Sequence, residues 1–175
     1  MKRLYLLRHA KSSWDDPTLA DHDRPLAPRG RRAANVMAEN LRRKGIMPEL
    51  VLCSPSRRTR QTLKRLAPVL GKDADVQIEP ELYAASAREL IEVLQGVPDE
   101  VESVMLIGHN PGLQDLALSL ASAGSEIPRL RSKFPTAALA TLEFKGTWRK
   151  LAPGSAELVS FVKPKELSRS AAGEK

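Results

Sequence analysis

The chain has a single cysteine, Cys53, among its 175 residues. That excludes an intramolecular disulfide and leaves the cytoplasm as the expected compartment. Cys53 falls in a predicted strand, where a small buried hydrophobe is expected rather than a reactive thiol. Aromatic residues make up only 4%. No Phe/Tyr/Trp platform and no nucleic-acid-binding signature accompanies the net charge of +7, so a mildly basic, solvated surface is expected and a nucleic-acid partner is not. No apolar run approaches the length needed to cross a bilayer, so no membrane partner is expected either. Lys2-Arg3 ahead of a short apolar run faintly resembles a signal peptide, but Arg8, His9 and Lys11 interrupt the run too early. The three histidines form no metal-ligand cluster with Cys53, and neither metal nor cofactor is expected.

What the chain does have is 42% hydrophobic and 28% charged residues, ordinary for a globular protein long enough to bury one core. Residues 1–164 are expected to form one domain, and 165–175, rich in small and charged residues, a frayed tail. Leu4-Tyr5-Leu6-Leu7 is an apolar run bounded by polar residues, which predicts a fully buried strand. It runs into Arg8-His9, an unusual ending for such a strand. Leu50-Val51-Leu52-Cys53 repeats the design before Ser54-Pro55 and an arginine-rich segment. Val104-Met105-Leu106-Ile107 repeats it again before Gly108-His109-Asn110-Pro111. Laid parallel, the three strands gather Arg8, His9, the arginines near position 58 and His109 at the edge where open α/β sheets bind ligands.

The helix after the second strand carries the sharpest inference from spacing. Ser54 is its predicted N-cap and Pro55 its first residue. Thr62, Leu63, Leu66, Val69 and Leu70 form its apolar stripe. Arg58 lies four residues before Thr62 and eight before Leu66, so it extends the buried face, whereas Arg57, Arg60 and Lys64 point elsewhere. A guanidinium on a buried face requires a partner. An aspartate of the Trp14–Pro28 loop is one candidate, and a bound phosphate is the favoured one.

Elsewhere, Arg29 to Lys44 is a predicted helix with Ala33, Val36, Met37 and Leu41 inward and Gly45 at its C-terminal cap. Asp75 to Ile78 is a short strand, Ala87 to Gln95 a helix, and Pro111-Gly112 opens another with Leu113, Leu116, Ala117 and Leu120 buried. Ala123 to Pro135 reads as a loop. Leu139 to Phe144 is a strand that turns at Lys145-Gly146 into Thr147–Leu151, and Glu157 to Val162 is the last strand. Asp15, Asp16, Asp21 and Asp23 superficially suggest a Mg²⁺ site. Pairing with arginines such as Arg24 is the preferred reading. His22 reads as a solvated bystander, and Trp14 as packing or a roof over the site.

Two histidines with arginines suggest phosphoryl chemistry on a histidine nucleophile. Histidine attacks phosphorus readily, and a covalent intermediate splits one hard displacement into two easier ones. The transferred group spreads charge over three oxygens, which arginine's fork of donors matches. Leu7-Arg8-His9-Ala10, then Ser54-Pro55-Ser56-Arg57-Arg58-Thr59-Arg60-Gln61-Thr62, then Gly108-His109-Asn110-Pro111, in this order and each at a strand end, resemble the histidine phosphatase superfamily, the phosphoglycerate mutase-like group. The resemblance spans residues 2 to 162. It implies a single three-layer α/β domain, a mostly parallel sheet flanked by helices. It implies His9 as the phosphorylated nucleophile, with Arg8, Arg58 and His109 holding the phosphate and no cofactor.

Two departures from the family pattern stand out. Ala10 replaces the usual glycine, and Asp15 follows Trp14 where many members carry asparagine. Asp21-His22-Asp23-Arg24-Pro25-Leu26-Ala27-Pro28-Arg29-Gly30 is similar to the small bacterial phosphohistidine phosphatases of the SixA type. This implies a phosphohistidine-bearing protein as substrate. Small phosphomonoesters are the alternative, and a non-catalytic phosphate- or nucleic-acid-binding module is the reading from another class. The proton donor is expected at Glu81, with Asp23 as second candidate, although the family's Glu-x-x-Tyr-Gly pattern is missing.

Overall fold

A computed structural model describes residues 1–167. The expected tail falls mostly outside them. Residues 164–167 begin a helical turn, and Leu167 packs against the core.

Seven strands form one sheet in the order β3-β2-β4-β1-β6-β7-β5: β1 Lys2–Arg8, β2 Leu50–Cys53, β3 Asp75–Ile78, β4 Ser103–Gly108, β5 Ala121–Ala123, β6 Leu139–Phe144 and β7 Ala156–Val162. The three strands expected to lie parallel do so, β2 and β1 each pairing in parallel with β4. Among the described residues only β6 runs against the rest, antiparallel to both β1 and β7. The sheet is thus mostly parallel.

The apolar runs are continuous because these strands are buried on both faces. Alternate side chains go to opposite layers. Leu4, Leu6, Leu50, Leu52, Val104 and Leu106 join Leu90 and Leu94 of α3 (Ala87–Gln95) and Leu113 and Leu116 of α4 (Gly112–Leu120). Tyr5, Leu7, Val51, Cys53, Met105 and Ile107 face Met37 and Leu41 of α1 (Pro28–Lys44) and Leu63 and Leu66 of α2 (Arg57–Leu66). Two layers of helix sandwich the sheet. No described helix is long and apolar enough to cross a membrane.

Four expectations are corrected. The 123–135 loop contains the end of β5, which adds to the outer edge of β7, and a helix α5, Ile127–Ser132, anchored by fully buried Leu130. Thr147–Leu151 does not return as a strand. A 3₁₀ turn at Trp148–Lys150 instead buries the Trp148 indole, whose Nε1–H donates to the Val101 carbonyl at 2.6 Å and so is satisfied where it is buried. The N-cap of α2 is Ser56, whose Oγ accepts from the Thr59 amide. Ser54 is left for another partner. In α1 the buried face comprises Ala34, Met37, Ala38 and Leu41, leaving Ala33 and Val36 only half-buried. That turn of the helix proves important below.

Candidate active site

The carboxyl ends of β1, β2 and β4 meet the loop after β1 and the start of α2. Backbone hydrogen bonds lock the chain around His9. Its amide donates to the Gly108 carbonyl at 3.0 Å, and the Ala137 amide reaches the carbonyls of both Arg8 and His9, at 3.0 and 3.1 Å. The next amide, Ala10, donates to Thr62 Oγ1 at 3.0 Å, and that hydroxyl donates onward to the Arg58 carbonyl at 2.8 Å. One threonine therefore ties the strand end to the helix turn that carries Arg58. Ala10 is completely buried with Leu26, Ala34 and Ala137, so the methyl group standing in place of the family's glycine packs in a small cluster. Gly30 makes this approach possible: a Cβ there would sit 2.0 Å from the Lys11 carbonyl oxygen.

The four residues expected from spacing come together. The rings of His9 and His109 lie 5.3 Å apart, centroid to centroid. Arg58 is only 7% exposed, and its Nη2 lies 3.4 Å from His109 Nδ1. Arg8 donates through Nη1 to the Phe134 carbonyl at 2.9 Å. Its Nε–H is buried without a partner among the described residues, a costly state that an incoming oxygen would relieve.

Burial pushes the pKa of His9 down to about 3, with the charges of His109, Arg58 and Arg8 adding to the effect against the Ala10 hydrogen bond. Burial, then Arg58, takes His109 down to about 4. Both imidazoles are neutral near pH 7, and their contacts fix the tautomers. His9 Nδ1 lies 2.7 Å from the Ala10 carbonyl, which can only accept, so Nδ1 carries the proton and Nε2 keeps a free lone pair. Arg58 can only donate, so His109 Nδ1 accepts and its Nε2–H is given to Ser54 Oγ at 2.7 Å. The serine expected to cap a helix instead orients a histidine.

Asp21, one of four aspartates in the Trp14–Pro28 loop, is the partner of Arg58. Its Oδ2 accepts from Arg58 Nη2 at 3.0 Å, and its carbonyl from Arg58 Nη1 at 2.7 Å. Oδ1 accepts from Arg24 at 3.0 Å, and Tyr83 donates to Oδ2 at 2.5 Å. The Tyr83 hydroxyl first, then Arg58 and Arg24, hold this carboxyl well below the usual carboxylate range. Tyr83 in turn packs edge-on to both His109 and His22, and the His22 side chain stays 41% exposed. Trp14 is 71% exposed, its ring stacked on the Arg24 guanidinium. Asp21 and Tyr83 were not singled out by the sequence: nothing in the spacing separates Asp21 from Asp23.

The two expected acids, Glu81 and Asp23, are both exposed. Glu81 is exposed and lines a groove with Glu79, Glu89 and Glu92 between β3 and α3. Its charge raises the pKa of Glu79, behind the effect of burial. Asp23 is exposed, 3.7 Å from His22. Neither is hydrogen-bonded to Arg8, His9, Arg58 or His109. Burial pushes the Cys53 thiol up to about 12, so it is inert.

A parallel sheet with paired neutral imidazoles and buried guanidiniums at its strand ends has the equipment of a hydrolase that works on phosphoryl groups. The profile of the histidine phosphatase superfamily (branch 1) matches residues 4–101, a span that holds Arg8, His9 and Arg58. The chain belongs to that superfamily and is a phosphatase. An uncharacterized protein of Mycobacterium tuberculosis is 40% identical over 163 residues, covering 91% of this chain and all of the relative. The phosphohistidine phosphatase SixA of Escherichia coli is 30% identical over 142 residues, covering 80% and 84%. A structure of a protein histidine phosphatase SixA complexed with tungstate superposes with a TM-score of 0.77 at 26% identity, covering 94% of this chain and 99% of that one.

Proposed function

We propose that the enzyme removes phosphate from phosphohistidine in proteins through a phosphorylated His9. The observation that carries this reading is the fixed tautomer of His9: with Nδ1 held by the Ala10 carbonyl, a neutral Nε2 is free to attack. In the first step Nε2 bonds to phosphorus and the substrate's P–N bond breaks, its electron pair leaving with the imidazole. Arg8, including its unpartnered Nε–H, and Arg58 hold the equatorial oxygens, and His109 completes the cradle by turning its Nε2–H from Ser54 Oγ to a phosphoryl oxygen. In the second step water attacks the phosphorus of phospho-His9, releasing inorganic phosphate and restoring the ring.

The similarity to SixA supports phosphohistidine over sugar phosphates, and so does the chemistry of the leaving group. Imidazole departs as a neutral molecule when its other nitrogen carries a proton, whereas a sugar alkoxide must be protonated as it leaves. Asp21, held ionised by Tyr83, Arg58 and Arg24, is a weak proton donor at neutral pH. Its contacts suit the positioning of Arg58.

Rapid-quench labelling tests the reading. A phosphohistidine peptide should give an acid-labile, alkali-stable phosphoenzyme in the wild type and none in His9→Ala. The peptide should also be turned over with a higher kcat/KM than any sugar phosphate. A sugar phosphate that outcompetes the peptide would move the assignment to the small-molecule phosphomonoesterases.

A further inference from the structure

Beside the active site lies a cavity of about 620 Å³ whose wall is cationic. Lys11, Arg29, Arg32, Lys133, Lys163 and Lys165 line it, and no aspartate or glutamate does. None of the six belongs to an ion pair among the described residues. This contrasts with nearby Arg129, which is engaged by both Glu126 and Glu166. Like charges brought together without counter-charges repel one another and lower stability, so their clustering calls for a use.

The floor of the groove is apolar. Arg29, Arg32, Ala33 and Val36 all line it. They stand at i, i+3, i+4 and i+7 on α1, one face of the helix. This is the face left half-covered when α1 buries Ala34, Met37, Ala38 and Leu41 instead. Pro135 and Pro164 complete the floor. Aromatic rings are absent from the lining, so nucleobases would find no stacking platform, whereas aliphatic side chains and carboxylates would find both surfaces they need.

Three lining residues of the groove are close chain neighbours of the site. Lys11 lies two residues after His9. Pro135 and Thr136 lie between Phe134, whose carbonyl binds Arg8, and Ala137, whose amide binds the carbonyls of Arg8 and His9.

We propose that this groove docks an acidic segment of the protein substrate, carboxylates against the six cations and short aliphatic side chains against Ala33, Val36 and the prolines. A phosphorylated side chain alongside that segment is then directed into the site. The inference extends the phosphohistidine-protein reading, but binding can be measured without it.

The probe is an unphosphorylated, fluorescein-labelled peptide with a central histidine flanked by glutamates, compared with its glutamine counterpart and with a single-stranded oligonucleotide of equal charge. Anisotropy should show the acidic peptide binding at least about tenfold more tightly than the neutral one at low salt, the difference vanishing near 0.5 M salt. The triple variant Arg29→Glu/Arg32→Glu/Lys165→Glu should lose that preference while hydrolysing a small aryl phosphate within about twofold of wild type. The aryl phosphate assay also reports that the variant is folded. Equal binding of the two peptides, a preference that survives charge reversal, or tighter binding of the oligonucleotide would each overturn the proposal. Failure of the substrate reading alone would appear differently: the acidic peptide would still bind, but its phosphohistidine form would not be turned over.

Discussion

The active site and the groove beside it use the same kinds of residue to opposite ends. In the site, Arg58 is almost wholly buried, and Asp21 receives both arms of its fork. In the groove the cations line an open cavity and form no ion pair among the described residues. A desolvated guanidinium held by hydrogen bonds makes a rigid, directional clamp, whereas solvated cations make a diffuse field that salt screens within about 8 Å at physiological ionic strength. The first arrangement suits one phosphoryl group in one orientation. The second suits a variable stretch of acidic chain.

Substitutions should separate the two regions by the size of their effects. His9→Ala should abolish turnover of an aryl phosphate, a loss of about 10³-fold or more, because it removes the attacking atom. A variant that keeps a tenth of the wild-type rate would show that His9 is not the nucleophile. Arg58→Ala should lower kcat/KM by roughly 10²- to 10³-fold, with Arg58→Lys restoring only a small part, since a point charge cannot reproduce the fork. Full rescue by lysine would reduce the site to the kind of field seen in the groove.

Stability should distinguish them as well. The folded-state pKa values of His9 and His109, about 3 and about 4, lie below the unfolded value of about 6.5. The unfolded chain therefore binds more protons below that pH. The stability of the neutral rings is fully present above about pH 6.5 and is lost as pH falls towards the folded values, by at most about 1.4 kcal/mol per pH unit per ring. Urea midpoints measured from pH 7 to pH 5 should fall for wild type and fall less steeply for His9→Gln, whereas parallel curves would place the sensitivity elsewhere. Asp21 works at lower pH, because its depressed pKa gives stability present above the unfolded carboxylate range and lost on further acidification. Asp21→Asn should flatten that acid limb, and it should weaken kcat/KM for aryl phosphates by loosening Arg58. The smallest effect is expected in the groove, where a single reversal such as Arg32→Glu should shift stability within about 0.5 kcal/mol.

Arg58 was legible because helical spacing from Thr62 and Leu66 is a local property. The parallel strands were legible because doubly buried strands require unbroken apolar runs. Glu81 was the least legible, because family spacing was carried across a segment where the chain departs from the family pattern. The 3₁₀ turn at Pro80–Leu82 brings Tyr83 to His109 and leaves Glu81 exposed among other acids. The α1 stripe was displaced because positions 33 and 34 are both alanine and hydropathy cannot choose between them. Which of them is buried depends on Gly30 meeting the Lys11 carbonyl, a contact between segments that periodicity does not register.

The sequence by itself determined the layered α/β frame and the convergence of Arg8, His9, Arg58 and His109, because strand burial and helix spacing act over a few residues. Only the tertiary structure decided that Asp21 and Tyr83 hold Arg58, that Ser54 orients His109, and that six cations share one groove. Each of those pairings joins residues distant along the chain, and the hydrogen bonds and fields that make them depend on distances in space.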